Sequence, residues 1–145
     1  MSSHTGGIRK MSLKKMVLGS AGLGIAVIGL IYLLAPYLLL DVYGVDIQSP
    51  SEANIFRSGS GSLFVAVAIL FCLGASNPRY TRTSLITLFT FMSGLAVGRV
   101  VSIVADGWPH ALLIAVLVVE ASYAGAAAYV LRAEDSSPQP RETAA

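Results

Sequence analysis

Four long apolar runs, separated by short polar stretches, form the main pattern of this chain. A helix of about 20 apolar residues crosses a hydrocarbon core roughly 30 Å thick, and each run is long enough to do so. We therefore predict an all-α fold, a four-helix transmembrane bundle. Its spans are expected at about residues 16–36, 54–76, 83–105 and 111–131.

The breaks between the spans carry residues that stop or start helices. Pro36 is expected to end or bend the first span, and the mixed residues 37–48 suit the membrane interface. Ser49-Pro-Ser-Glu52 has the form of a capping box with proline at the first helical position. At the end of the third span, Gly107 is predicted to be a left-handed cap and Pro109 to begin the fourth span.

Polar segments flank the transmembrane domain, which we place at residues 16–132. Residues 1–15 are basic and predicted to be disordered. Residues 133–145 are polar and contain prolines, which predicts a disordered tail.

The composition excludes an ordinary soluble domain. Of 145 residues, 54% are apolar and 12% are charged, which leaves too little polar surface to cover a soluble fold. One cysteine and two histidines offer no disulfide, zinc spacing or haem motif. We predict no cofactor, no metal and no nucleic-acid partner, and we expect the lipid bilayer to surround the chain.

Charge alternates between the two ends of the predicted bundle. The amino-terminal segment, the middle turn and the end of the fourth span are basic, whereas the other two connections hold acidic residues without lysine or arginine. Because basic loops remain in the cytoplasm, both termini are predicted to be cytoplasmic. The expected location is the cell membrane, that is, the cytoplasmic membrane.

Two charged residues, Arg99 and Glu120, lie inside apolar helices. Such a charge costs about 2.5 to 3.5 kcal/mol on insertion scales, so a functional site is the default hypothesis. A rise of 1.5 Å per residue puts Arg99 roughly 7 Å from the midplane and Glu120 within about 2 Å of it. Side chains lean toward the amino terminus of their helix, so the two converge from antiparallel spans. We predict an ion pair, direct or through one water.

Further polar residues are expected near this pair. Asp106 follows Arg99 by seven residues, about two helical turns, and Ser102 lies between them on the same face. Asn54 and Arg57 belong to the outer end of the second span. We predict one cluster in the outer half of the bundle, formed by Asn54, Arg57, Arg99, Ser102, Asp106 and Glu120.

Small residues recur every four positions at Gly94, Gly98 and Ser102. This spacing lets a neighbouring helix backbone approach closely in lipid. We predict that Gly94 and Gly98 are packing residues, either within the subunit or in a homo-oligomer.

Several short motifs surround the predicted cluster: Tyr43-Gly-Val45, Asn54-Ile-Phe-Arg57, Gly98-Arg99 with Ser102, Asp106-Gly107 with Pro109, and Glu120. Together they resemble the pattern of a bacterial family of small four-span membrane proteins classed only as a domain of unknown function. The resemblance covers about residues 17–132 and implies a four-helix membrane domain. The family has no established activity, so the resemblance assigns no roles to these residues.

Three classes of function are compatible with such a cluster. The first is a non-catalytic protein whose pocket binds a lipid headgroup or small anionic ligand through Arg57 and Arg99, or docks a partner helix. The second is a small oligomeric proton-coupled transporter using Glu120, against which a tight pair with Arg99 would count. The third, an intramembrane lipid enzyme using Glu120 or Asp106 as general acid or base, ranks lowest, because neither a nucleophile nor a metal site is evident.

A purely structural role competes with all three. An intramembrane ion pair can simply lock two helices together, and Asp106-Gly107 can simply end a helix. The sequence alone leaves these alternatives open.

Overall fold

The structure is a computed structural model that describes the backbone of residues 3–136 and the side chains of residues 13–136. This part of the chain is built from helices and contains no strand. In chain order they are α1 (Ser3–Leu34), α2 (Pro36–Val42), α3 (Pro50–Ile55), a π-helix (Phe56–Ser62), α4 (Leu63–Ser76), α5 (Pro78–Asp106) and α6 (Ala111–Asp135).

Four helical segments are long and apolar enough to cross a bilayer, which confirms the predicted four-span, all-α fold. They cover Leu13–Leu34, Pro50–Ser76, Pro78–Asp106 and Ala111–Asp135. The second span joins α3, the π-helix and α4 without a break. The protein is therefore a multi-pass membrane protein.

The first and last helices extend beyond the predicted spans. Helix α1 begins at Ser3 and so runs through most of residues 1–15, for which the sequence predicted disorder. Helix α6 continues to Asp135, inside the predicted tail 133–145. The remainder of that tail, from residue 137 onward, lies outside the described residues.

Proline and capping residues set the breaks between helices. Helix α1 ends at Leu34, and Pro36 is the first residue of α2. Ser49 Oγ accepts a hydrogen bond from the Glu52 N–H at 3.2 Å, while the Glu52 carboxylate accepts one from the Gln48 N–H at 2.6 Å. The capping box is present, but its acid binds the amide one residue before the cap.

The connection from α5 to α6 differs in detail from the prediction. Gly107 ends α5 with a φ of 92° but a ψ of −168°, so it is not the left-handed cap that we predicted. Pro109 precedes α6 instead of beginning it. His110 takes the N-cap position, where its Nδ1 accepts a hydrogen bond from the Leu112 N–H at 3.3 Å.

Glycine lets the first and second spans pack closely. A Cβ on Gly61 would lie 2.7 Å from the Leu33 nitrogen, and one on Gly29 would lie 2.9 Å from the Val65 nitrogen. Real Cβ atoms essentially never approach backbone so closely, so glycine alone fits at these two positions. Lipid provides no hydrophobic drive for helix association, and such close backbone contact supplies packing energy instead.

The buried core lies in the half of the bundle that contains the turn between α4 and α5. Its largest fully buried side chains include Leu18, Phe71, Leu85 and Leu88. In the same region, Ser84 Oγ donates a hydrogen bond to the Leu70 carbonyl at 2.7 Å, which links α5 to α4. Packing is therefore dense at one end of the bundle.

Charged residues join three helices at this same end. Lys14 of α1 forms an ion pair with Glu134 of α6. Arg82 of α5 lies 2.9 Å from the Asp135 carboxylate and 3.6 Å from that of Glu134. The beginning of the first span and the end of the fourth are therefore on the same side of the membrane.

Candidate functional site

Arg99 of α5 and Glu120 of α6 form a direct ion pair, in which Arg99 Nε donates to Glu120 Oε2 at 2.8 Å. The Glu120 side chain is 6% exposed and that of Arg99 is 29% exposed. Polar groups at membrane depth must be satisfied within the protein, and this contact does so for both charges. The structure brings the two residues together as their depths predict.

The pair sits where the core-facing side of α5 meets that of α6. On α5, Arg99 continues the buried stripe of Leu88 and Met92 by seven residues, about two helical turns. On α6, Glu120 precedes buried Ala124 and Ala127 at intervals of four and three residues. Small alanines let α6 approach α5 closely. The Arg99–Glu120 pair lies beyond these alanines, nearer the α5–α6 connection.

A cavity of about 310 Å³ lies beside the pair, among all four spans. Phe64 and Met92 contribute to its apolar lining. Gly24, Ile28 and Val119 also line it and are exposed, so the cavity reaches the surface of the bundle between α1 and α6. It extends from the core residues Ala21, Ile25 and Met92 to Tyr43, which follows α2.

Several hydroxyl groups line this cavity. Tyr123 donates a hydrogen bond to Ser20 Oγ at 3.1 Å, and Ser20 in turn donates to the Met16 carbonyl at 2.8 Å. Tyr32 and Tyr43 line the cavity as well, and neither hydroxyl has a hydrogen-bond partner within residues 13–136. The cavity therefore has polar groups on an otherwise apolar wall.

An aromatic cluster holds Tyr32 in place. Its ring stacks on Phe56 with centroids 6.4 Å apart and meets Phe64 edge-on at 6.3 Å. Phe64 in turn meets Phe91 edge-on at 5.6 Å. Offset and edge-to-face contacts of this kind are the favoured arrangements of aromatic pairs. Tyr32 is thereby fixed at the cavity wall.

Two predicted members of the cluster lie away from the pair. Asn54 and Arg57 are exposed, and Arg57 Nε donates a hydrogen bond to the Leu33 carbonyl at 3.2 Å. That carbonyl belongs to the last turn of α1, whose final C=O groups have no partner within the helix. Arg57 therefore caps the end of the first span.

Ser102 and Asp106 pair with each other. Ser102 Oγ donates to Asp106 Oδ2 at 3.0 Å, and both residues are exposed. Among the described residues, Asp106 forms no ion pair with Arg57 or Arg99. The six residues predicted as one cluster thus separate into the Arg99–Glu120 pair, the Ser102–Asp106 pair, Arg57 with the end of α1, and Asn54 alone.

The sequence profile of a family described as a domain of unknown function, DUF4345, matches residues 13–131. The chain belongs to this family. All four spans and the cavity lie within the matched region, apart from the last turn of α6. Comparison with curated proteins and comparison with solved structures each gave no match.

Gly94 and Gly98 of this DUF4345 domain do not pack inside the subunit. A Cβ on either one would meet no atom within 4 Å, because residue 98 is rotated about 100° from Arg99 and so faces away from the core. The two glycines line a shallow groove of about 330 Å³ together with Arg99 and Ser102. Packing of these two glycines in a homo-oligomer stays a prediction.

The hydroxyls of the cavity wall were not predicted from the sequence. Tyr43 was assigned to the interface, and Tyr32 and Tyr123 were treated as part of apolar runs. Their spacing relative to Arg99 gave no signal, because they lie on three other segments of the chain. No group of three His, Cys, Asp or Glu residues in the described part of the chain is placed to hold a metal ion.

Proposed function

We propose that this protein is a non-catalytic membrane protein that binds the polar head of a membrane amphiphile beside the Arg99–Glu120 pair. The observation that carries the proposal is a cavity that combines an ion pair, free hydroxyls and an apolar wall. Small-molecule sites typically occupy about 300–1,000 Å³ and hold a few polar groups on a mainly apolar lining. The 310 Å³ cavity is at the lower end of that range.

The opening between α1 and α6 supports an amphiphile over a water-soluble ligand. Its exposed rim residues lie on the membrane-facing surface of two spanning helices. A ligand dissolved in the bilayer reaches such an opening sideways, with its chain in lipid and its head in the cavity. A water-soluble ligand would have to cross apolar surface first.

The other binding modes have less support. A clamp formed by two arginines needs Arg57 and Arg99 to converge, and Arg57 instead binds the end of α1. A partner helix, about 10–12 Å across with its side chains, would not fit a cavity of about 310 Å³ between four spans. A proton-coupled transporter that cycles Glu120 has to break its 2.8 Å contact with Arg99 in each cycle, which counts against that alternative.

The experiment compares two glycines of α1. Gly24 lines the cavity, whereas Gly19 does not, and a Cβ on either one meets no atom within 4 Å. Wild type, Gly24→Leu and Gly19→Leu are purified in mild detergent, and the lipids that remain bound are measured by native mass spectrometry. We expect a bound amphiphile in wild type and Gly19→Leu and its loss in Gly24→Leu.

Two results would contradict the proposal. One is equal retention of the same lipid by Gly24→Leu and Gly19→Leu, which would place any bound lipid elsewhere on the bundle. The other is the absence of a retained amphiphile from wild type reconstituted in lipid nanodiscs. A monodisperse elution profile for each variant shows that the protein is folded when the lipids are counted.

A further inference from the structure

We infer that the amphiphile bound in the cavity has an uncharged head that presents carbonyl oxygens. This inference rests on the proposed function and adds the chemical class of the ligand. Three observations lead to it: the charge of the lining, the surplus of hydrogen-bond donors, and the aromatic wall.

The charge of the cavity lining sums to zero. Arg99 and Glu120 are the charged side chains that line it within the described residues, and they neutralise each other at 2.8 Å. A phosphate or carboxylate head would add a negative charge beside the 6% exposed Glu120 carboxylate. Burying an uncompensated charge at this depth is unfavourable, whereas an uncharged head leaves the balance intact.

The hydrogen-bonding groups of the lining are mostly unused donors. Arg99 uses only Nε for Glu120, which leaves the N–H groups on its two terminal nitrogens without a protein partner among the described residues. The hydroxyls of Tyr32 and Tyr43 are likewise free within that part of the chain. Tyr32, Tyr43 and Arg99 line the same cavity, so these donors act on one region. Carbonyl oxygens are the uncharged acceptors that satisfy them.

The aromatic wall fits a planar or ester head next to these donors. Tyr32 and Phe64 meet edge-on at 6.3 Å, and both line the cavity. Flat carbonyl groups and rings pack against such faces without further desolvation of charge. Two kinds of membrane molecule share this chemistry: a quinone with an alkyl chain, and a diacylglycerol with its two ester carbonyls.

The test measures binding of three probes to the full-length protein in neutral detergent. The probes are a short-chain alkyl quinone, dioctanoylglycerol and dioctanoyl phosphatidate, each titrated by native mass spectrometry. We expect at least one uncharged probe to bind about tenfold or more tightly than phosphatidate, equivalent to ~1.4 kcal/mol. The uncharged probe that binds more tightly shows whether the ligand is a quinone or a diacylglycerol.

A charge-neutralising substitution tests why the cavity prefers an uncharged head. Glu120→Gln leaves Arg99 unneutralised and is expected to shift the preference toward phosphatidate by about tenfold or more, because the lining then carries a positive charge. Asp106→Asn removes an equal charge from a residue that does not line the cavity and should leave the preference unchanged. Tyr43→Phe, which changes no charge, should weaken binding of the uncharged probe.

The outcomes separate this inference from the proposed function. If wild type binds phosphatidate more tightly than the uncharged probes and Gly24→Leu abolishes this binding, the inference of an uncharged head is wrong. The proposed amphiphile site is then still supported. Binding of every probe that is unaffected by Gly24→Leu would overturn the site itself. If Glu120→Gln does not elute as a folded protein, an unchanged affinity of Tyr43→Phe for the uncharged probe overturns the inference.

Discussion

The contact between Arg99 and Glu120 joins two side chains that are buried to different extents. Glu120 is almost fully buried, at 6% exposure, whereas Arg99 retains 29%. Removal of either partner therefore has unequal consequences. An isolated carboxylate would be enclosed between helices, but an isolated guanidinium still reaches the cavity and can find water or lipid oxygens.

We expect Arg99→Met to destabilise the protein more than Glu120→Met does. Removing one partner of a buried pair costs roughly 3 to 5 kcal/mol of stability. The loss for Arg99→Met should approach the lower figure, because it leaves the buried carboxylate without a partner. The double variant should be more stable than the sum of the single effects predicts, by about 1 kcal/mol or more. Unfolding in mixed detergent micelles, followed by circular dichroism, measures all three; additive effects would argue against a coupled pair.

At the scale of elements, the second span shows why helix contacts in lipid depend on single backbone positions. The π-helix between α3 and α4 contains Gly59 and Gly61. Gly61 touches the backbone of α1, whereas a Cβ on Gly59 would meet nothing within 4 Å. Two glycines two residues apart thus have different roles, and the difference is set by which side of the helix each occupies.

Gly61→Ala should destabilise the bundle while Gly59→Ala should not. The new methyl group would overlap the backbone of Leu33, and overpacking of this kind costs about 1 to 3 kcal/mol. At Gly59 the same change meets open space and should be neutral or slightly stabilising through a less flexible unfolded chain. The melting temperature of each variant in detergent is the measurement, and equal values for the two would refute the packing role of Gly61.

Hydrophobic length was enough to predict the four spans, and Pro36 and the Ser49 capping box were enough to predict two of the helix breaks. The depths of Arg99 and Glu120 along their helices also predicted their contact correctly. Sequence spacing does not show how a helix is rotated about its axis. Gly94 and Gly98 carry the pattern of a packing face but point away from the core, whereas Gly29 and Gly61 form the close contact. Which face of an apolar helix meets protein and which meets lipid is not encoded in hydrophobicity, because both surroundings are apolar.

At the scale of the whole molecule, the two ends of the bundle differ. One end has the buried core and the ion pairs of Lys14, Arg82, Glu134 and Asp135. The other end has the α5–α6 connection, and the cavity extends toward it from the core. The opening between α1 and α6 lies between these two ends, at Gly24, Ile28 and Val119.

Truncation of the tail should reveal the contribution of the ion pairs. A chain that stops after Ala133 loses Glu134 and Asp135, which contact α1 and α5, whereas a chain that stops after Ser136 retains them. We expect the shorter chain to melt at a lower temperature and the longer one to match full length. The difference should shrink in high salt because part of the network is exposed. Equal melting temperatures would show that α6 needs no anchor beyond the membrane span.

The orientation of the bundle determines which leaflet of the membrane the cavity faces. The basic residues Lys14 and Arg82 lie at the dense end, so the positive-inside rule predicts that this end is cytoplasmic and that the α5–α6 connection is outside. Single cysteines in a Cys72→Ser background test this with a membrane-impermeant maleimide; the native thiol is replaced because it is exposed. Trp108→Cys should react in intact cells, and Arg79→Cys should react only after lysis.

Because Arg99 is seven residues before Asp106, labelling of Trp108→Cys from outside would also place the cavity toward the outer leaflet. The reverse labelling pattern would invert the bundle and make the cytoplasmic leaflet the source of its amphiphile.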